Sequence, residues 1–194
     1  VRFLHRLRQD RRGSAVIEFA IAAPVLLVML LGIWDMGHMA YLTAILHGAV
    51  QQVARNDSLE GADTTQADTY VSNIVRTVAP GATVVGKRMS YYDFTDIKRP
   101  EAWNDKDGDG KCDNSETYTD ENGNGQWDAD IGSSTNGGAN DVVLYTVTVT
   151  YTPVFYIPFM SSGNKPRTIT ASVVHKNQPF ALQAKYGTTA GVCK

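Results

Sequence analysis

Asp105-Lys-Asp-Gly-Asp-Gly-Lys-Cys-Asp-Asn-Ser-Glu116 sets carboxylates two residues apart and closes on a glutamate. In a tight loop such alternate side chains converge on one point, and hard oxygens gathered there suit calcium. Asp105, Asp107 and Asp109 stand at places one, three and five of a twelve-residue calcium loop. Gly110 gives the turn at six, Lys111 offers its carbonyl at seven, and Asp113 acts at nine through water. Glu116 brings a bidentate oxygen pair at twelve. Without a cation these carboxylates repel one another. The plain alternative is a solvated acidic loop.

A second loop follows at once. Asp120, Asn122, Asn124, Gly125, Gln126 and Asp128 match places one, three, five, six, seven and nine. Place twelve is Ile131, so the bidentate anchor is missing. Asp130 or a carboxylate of the first loop is expected to substitute, in a weaker site. The loops lie too close together for the flanking helices of an EF-hand pair. They resemble the Asp-rich tandem loops of extracellular bacterial proteins, which bind calcium as a structural staple. Calcium is therefore expected to order residues 105 to 130. Cys112 and Trp127 both hold place eight, where side chains of paired loops face each other, so both are expected to be buried. Cys193 lies near the C-terminal end, and an oxidising compartment permits a Cys112–Cys193 disulfide.

A third chemical feature is a single acid in an apolar stretch. Glu18 lies near the start of a run from Ser14 to Trp34. A carboxylate within a membrane helix costs about 2.5–3.5 kcal/mol on insertion scales, so it calls for a partner. Arg2, Arg6, Arg8, Arg11 and Arg12 precede Gly13, opposed only by Asp10. Asp and Glu crowd instead between Glu101 and Asp130. The net charge of -2 hides this polarity, which points to membrane and metal rather than nucleic acid. Phosphate-cradling glycine loops, nucleophile elbows and zinc motifs are absent from the sequence, and His5, His38, His47 and His175 are scattered. The chain is read as a non-enzyme with no small-molecule substrate.

The elements that must carry these groups follow from periodicity. Ser14 to Trp34 is roughly the 20 residues that cross a bilayer. The arginines hold its start in the cytoplasm by the positive-inside rule, which puts everything from about Asp35 outside. A signal peptide ending at Met39-Ala40 competes. Against it, Met39, Leu42, Leu46, Ala49 and Val53 continue a helical spacing past that point. One long helix over 14–55 is expected, lipid-facing first and amphipathic after. Asp35 and His38, one turn apart, read as an interfacial pair. Pro24 removes a backbone hydrogen bond mid-helix. It reads equally as a flexible point for leaving the bilayer or as a harmless kink.

Asn56-Asp57-Ser58 and Gly61 end that helix. Asp63-Thr-Thr-Gln66 forms a capping box for a second one carrying Ala67, Val71, Ile74, Val75 and Val78, stopped by Pro80-Gly81. Strand-like runs occupy Thr83 to Phe94, Val142 to Thr152 and Arg167 to His175. Gly132 to Asn140 reads as a flexible linker. Pro153 to Met160 reads as a buried connection or edge cover, with a subunit contact as the other reading. The order predicts an α+β fold, a pilin-like antiparallel sheet with helices on one face. Its parts are a basic leader over 1–13, the helix over 14–55, and a periplasmic domain over 56–194 with the calcium-loop insertion at about 101–140.

Gly13, Ser14, Glu at the fifth place after the cut and Phe19 at the sixth resemble the processing site of type IV pilins. The stretch Arg12-Gly-Ser-Ala-Val-Ile-Glu-Phe-Ala-Ile-Ala-Ala-Pro-Val-Leu-Leu is similar, more narrowly, to the TadE-like family of minor pilins and pseudopilins of tight-adherence pili. The resemblance covers about residues 11 to 55. It implies cleavage between Gly13 and Ser14 by a prepilin peptidase, an inner-membrane anchor, and packing of the helix among other pilin and pseudopilin subunits. Glu18 would then pair with the ammonium freed at Ser14, its own or a neighbour's, and set the axial register. Ser14 replaces the Phe that opens many major pilins, which suits a minor component. A permanently anchored, calcium-dependent adhesion or binding module is the rival reading.

Overall fold

Ser14–Asp57 forms one unbroken helix, α1, which passes through Pro24 and across Met39–Ala40. The structure is a computed structural model that describes residues 14–58, 63–113, 115–154, 165–178 and 187–193. Gly13, the basic leader and residues 155–160 of the apolar connection lie outside the described residues, as does the side chain of Ser14. The two halves of α1 differ sharply. Phe19, Ile21, Leu27, Ile33 and Trp34 are largely exposed. From Asp35 onward the helix buries one face through Leu42, Leu46, Ala49, Val50 and Val53. Among the described residues α1 is the one helix long and apolar enough to cross a membrane.

The buried half of α1 packs against α2 (Thr64–Val78) and a sheet. Ala67, Val71 and Val75 give α2 its inward face. Asp63 caps it by accepting from the amides of Thr65 (2.9 Å) and Gln66 (3.2 Å). Gln66 does not reach back to a backbone amide as a full capping box requires. Its Nε2 donates to the Asp63 carboxylate instead, at 3.0 Å.

Three antiparallel strands form the sheet: β1 (Thr83–Tyr91), β3 (Val142–Tyr151) and β4 (Arg167–Lys176), with β3 central. Val143, Tyr145, Val147, Val149 and Tyr151 of β3 are all buried, and threonines alternate with the last of them. Tyr145, Val147, Val149, Tyr151 and Ala171 meet the two helices, so both helices lie on one face. A partly buried charge network ties that layer together. Arg88 of β1 reaches Asp57 at the end of α1 (3.0 Å) and Asp68 of α2 (2.9 Å), and its guanidinium lies 4.1 Å from the Tyr145 ring centroid. The Tyr145 hydroxyl donates to Asp68 at 2.6 Å. Gly86 makes room for this: a Cβ there would stand 2.9 Å from Asp68 Oδ1 and 3.1 Å from the Tyr145 ring.

The sheet's other face is covered at one end only, since Val85, Lys87, Thr170 and Val174 on it are exposed. Tyr91, Ile131, Val142 and Leu144 form a second buried cluster with Met89 and Ile97. The chain between β1 and β3 therefore packs back on the sheet. The expected linker over 132–140 is tied down as well. Ser90 and Ser133 exchange backbone hydrogen bonds at 2.8 and 3.0 Å, and Asn177 Nδ2 donates to the carbonyls of Asn136 and Gly138. Glycine and serine content marked a stretch without side-chain core, not one without partners.

Two short strands escaped the sequence reading. β2 (Thr117–Asp120) pairs antiparallel with β5 (Thr189–Val192). Four residues between two turn-rich loops carry too few alternations to read as a strand. The expected Asp35–His38 pair is also replaced. Asp35 bonds Arg167 of β4 at 2.6 Å, while His38 Nε2 lies 3.1 Å from the Val78 carbonyl and its ring meets Tyr151 edge-on at 5.9 Å. Neighbours on one helix face were expected to bond each other; the folded domain supplies each with a better placed partner.

Candidate cation-binding loops

The register fixes where the loops sit. Thr83 pairs with Thr150 at one end of the sheet and Tyr91 with Val142 at the other. The first end lies beside His38, through Tyr151. The second lies towards Asp57, through Arg88. From Asp35 to Asp57, α1 rises about 33 Å at 1.5 Å per residue. The insertion leaves Tyr91 and returns at Val142, so both its attachments lie at the end remote from the exposed half of α1, and its second loop reaches back beside Lys87 and Met89 of β1.

In the first loop Asp105, Asp107 and Asp109 bring carboxylate oxygens within 4.8 Å of one another, all three residues exposed. This triad could hold a metal ion. Local hydrogen bonds shape it. Asp105 accepts from the amides of Gly108 (2.7 Å) and Gly110 (3.1 Å), Asp107 from that of Asp109 (3.3 Å), and Asp109 from that of Lys111 (2.8 Å). Gly108 and Gly110 take φ of 76° and 77°, left-handed values that favour glycine. Glu116 closes the loop from beneath. It is 1% exposed, and its Oε1 accepts from the Lys106 amide at 2.6 Å. Its Oε2 and the Oδ1 of Asp113 are buried and accept no hydrogen bond among the described residues. A buried carboxylate oxygen without a donor costs stability unless a cation satisfies it. Burial foremost, then the charges of Asp109, Asp107 and Glu116, push the Asp113 carboxyl up from its ordinary range.

The second loop repeats this scheme residue for residue. Asp120 accepts from Gly123 (2.7 Å) and Gly125 (2.9 Å), Asn122 from the amide of Asn124 (3.1 Å), and Asn124 from that of Gln126 (2.7 Å). Gly123 and Gly125 have φ of 77° and 79°. The closing carboxylate comes from a residue the sequence reading passed over. Glu101, fully buried, accepts from the Glu121 amide at 2.8 Å, as Glu116 does from Lys106. It also accepts from Asn122 (3.3 Å) and Asp128 (3.1 Å). Glu101 precedes both loops, so a pattern read forward from Asp120 could not find it. Asp130 takes the Tyr91 hydroxyl (3.0 Å) and the Gly132 amide (3.1 Å). Burial, then that bond to Asp130, pushes the Tyr91 phenol up to about 12.

The centre of the second loop differs in chemistry. The amide groups of Asn122 and Asn124 both donate to Asp128 Oδ2. Where the first loop gathers like charges, the second satisfies its own acceptors. Arg99 adds a clamp, holding Glu121 at 2.7 Å and Asp96 at 3.0 Å. The bond to Arg99 draws the Glu121 carboxyl below its usual value.

The two residues at place eight part company, and each is half-buried rather than buried. Cys112 is bonded to Cys193 with Cα atoms 5.6 Å apart, across 81 residues of sequence. The Cys193 amide also donates to the Glu116 carbonyl. The first loop is thereby stapled to the β5 end. Trp127 donates to the Glu101 carbonyl at 3.2 Å and packs edge-on against Trp103 at 5.3 Å. At the other end of the molecule, Glu18 lies on the exposed face of α1.

Residues 13–55, Gly13 and nearly all of α1, carry a TadE-like protein family domain. That match spans 43 of the 194 residues. Neither the curated proteins nor the solved structures contain a match to the chain.

Proposed function

We propose that this chain is a minor pilin or pseudopilin that takes part in assembling an adhesive tight-adherence pilus. The observation that carries the reading is the coincidence of the TadE-like match with the split character of α1. An exposed apolar half and a core-forming half on one continuous helix are what a subunit needs to pack in lipid first and among neighbours later. On this reading α1 anchors the protein in the inner membrane with its start in the cytoplasm and the α+β domain in the periplasm. A prepilin peptidase cuts between Gly13 and Ser14. Glu18 pairs with the new ammonium of Ser14, since an ion pair in lipid is cheaper than a lone carboxylate. Other pilin and pseudopilin helices are the partners, and the role is structural rather than enzymatic.

The domain's cofactor on this reading is calcium. The donor set supports it: hard oxygens only, three aspartates converging, and a buried Glu116 oxygen left without a donor. Asp105, Asp107, Asp109, the Lys111 carbonyl, Asp113 and Glu116 hold the first ion. Asp120, Asn122, Asn124, the Gln126 carbonyl and Asp128, with Glu101 at the closing place, hold a weaker second one. Asp130 stands beside this set, turned towards the Tyr91 hydroxyl and the Gly132 amide.

N-terminal sequencing of the mature product tests processing: Ser14 is expected as the first residue, and Gly13→Leu is expected to leave the precursor uncut. A first residue elsewhere overturns the pilin reading. In that event the tethered calcium-dependent module is favoured, because the insertion is attached at the end remote from the membrane helix. Titration of the domain with calcium tests the metal separately; a silent calorimeter and a melting curve indifferent to chelator would remove it.

A further inference from the structure

The end of the domain opposite the loops has a composition of its own. Asp35, 5% exposed, stands directly after the exposed apolar stretch and bonds Arg167. No linker separates helix from domain: α1 runs straight from one into the other. The segments that gather around Asp35 and His38 are the last turn of α2, the start of β1, the end of β3 and the start of β4. Residues 74–85, 150–154 and 165–170 contain Arg76, Lys165 and Arg167 but not one Asp or Glu. Arg76, Lys165 and Val154 are exposed, Val154 at 65%. The insertion from 92 to 141, at the far end, holds 13 acids against 4 bases. The domain is therefore charge-polarised along α1, basic towards the apolar helix half and acidic away from it.

Dimensions place the basic end in a bilayer's surface layer. From Ala15 to Trp34 the helix spans about 30 Å, the thickness of a hydrocarbon core. Trp34 then falls at its boundary, where aromatic rings settle, and Asp35 falls among headgroups. The headgroup layer adds about 5–7 Å on each side. Tyr151 is level with His38, about 5 Å above Asp35 along the helix. Thr152 to Val154 follow the membrane-side end of β3, three residues with a reach of up to about 10 Å.

We propose that the β3–β4 end of this domain is seated in the phospholipid headgroup layer, with Val154 immersed and Arg76 and Lys165 against anionic phosphates. The inference rests on the membrane reading of α1. Asp35–Arg167 then acts as a clasp that fixes the domain's height and tilt, keeping a buried acid neutralised where the dielectric falls. Basic side chains near an anionic surface favour that seating. The acidic insertion, attached at the opposite end of the sheet, lies away from lipid of like charge.

The full chain in phosphatidylglycerol-containing nanodiscs tests this, with spin labels at Leu30→Cys, Val154→Cys and Gln126→Cys in separate samples. The paired native cysteines take no label. Expected is a loss of nickel-chelate access at Val154, intermediate between full protection at Leu30 and full access at Gln126. Arg76→Gln with Lys165→Gln is expected to restore part of that access. If Leu30 is protected while Val154 is as open as Gln126, the seating is overturned and the membrane helix stands. If Leu30 itself is open, the membrane reading falls and takes this inference with it.

Discussion

The two acidic loops share a backbone and differ in what closes them. Four side chain–amide bonds recur at matching places, with left-handed glycines at the same two positions. In the first, the closing glutamate is the twelfth residue of the loop itself. In the second, it is Glu101, nineteen residues before the loop's first aspartate, and the twelfth residue is spent on the core. The first loop keeps buried oxygens without donors; the second fills its centre with asparagine amides. One backbone scheme thus frames a cluster of like charges in the first loop and a nearly self-satisfied turn in the second. The lesson is that a loop geometry does not carry an affinity; the balance of donors and acceptors inside it does.

The comparison breaks most directly at Ile131. Ile131→Glu completes the linear pattern of the second loop, and it buries a carboxylate among Tyr91, Val142 and Leu144. A loss of about 4 kcal/mol in denaturant unfolding is expected, with no gain in calcium binding. A stable variant with a second strong site would show that place twelve was merely vacant. Next comes the staple. Cys112→Ser with Cys193→Ser is expected to lower stability by about 3–4 kcal/mol, because the bridge closes a long segment. It is also expected to weaken the first site more than the second.

Glu116→Gln sharpens the difference between sites. It removes the buried anchor of the first loop, and a fall in its calcium affinity on the order of a hundredfold is expected by calorimetry. Glu101→Gln is expected to act the other way round. Three backbone amides lose a charged acceptor, so melting falls by the equivalent of about 2 kcal/mol even in chelator. Calcium response of the first loop should survive it.

The smallest effect is in pH. The Asp113 carboxyl is raised in the folded, cation-free loop. A raised acid favours the fold below its unfolded value and loses that contribution as pH climbs through the folded one. The cation-free protein should therefore lose a little stability on going from acid to neutral pH through this group. Glu121 has the opposite sign: depressed by Arg99, it contributes above its unfolded value of about 4.5 and loses that contribution as pH falls. Bound calcium, which favours the ionised Asp113, should reverse the first dependence and leave the sign of the second, a contrast readable from melting curves with and without chelator.

Much of the fold was legible because periodicity survives in side-chain type. Leu42, Leu46, Ala49 and Val53 are buried as their spacing requires, and so are Val71 and Val75. β3 alternates Val and Tyr with Thr, and its buried face follows. What was illegible lacked periodicity or spanned distant chain. β2 and β5 are four residues each and lie some seventy residues apart. Glycines and serines over 132–140 hid a segment held by Ser90 and Asn177.

The amino-acid order alone determined the helix that divides into an apolar and an amphipathic half, and the spacing of oxygens in both loops, because each depends on neighbours a few residues apart. Tertiary structure alone decided that Glu101 closes the second loop, that Ile131 belongs to the core, that Asp35 meets Arg167, and that the insertion is attached at the end remote from the apolar helix half. Those outcomes depend on which distant segments share a sheet register, and a burial site is awarded by the whole packing rather than by any residue's own place in the chain.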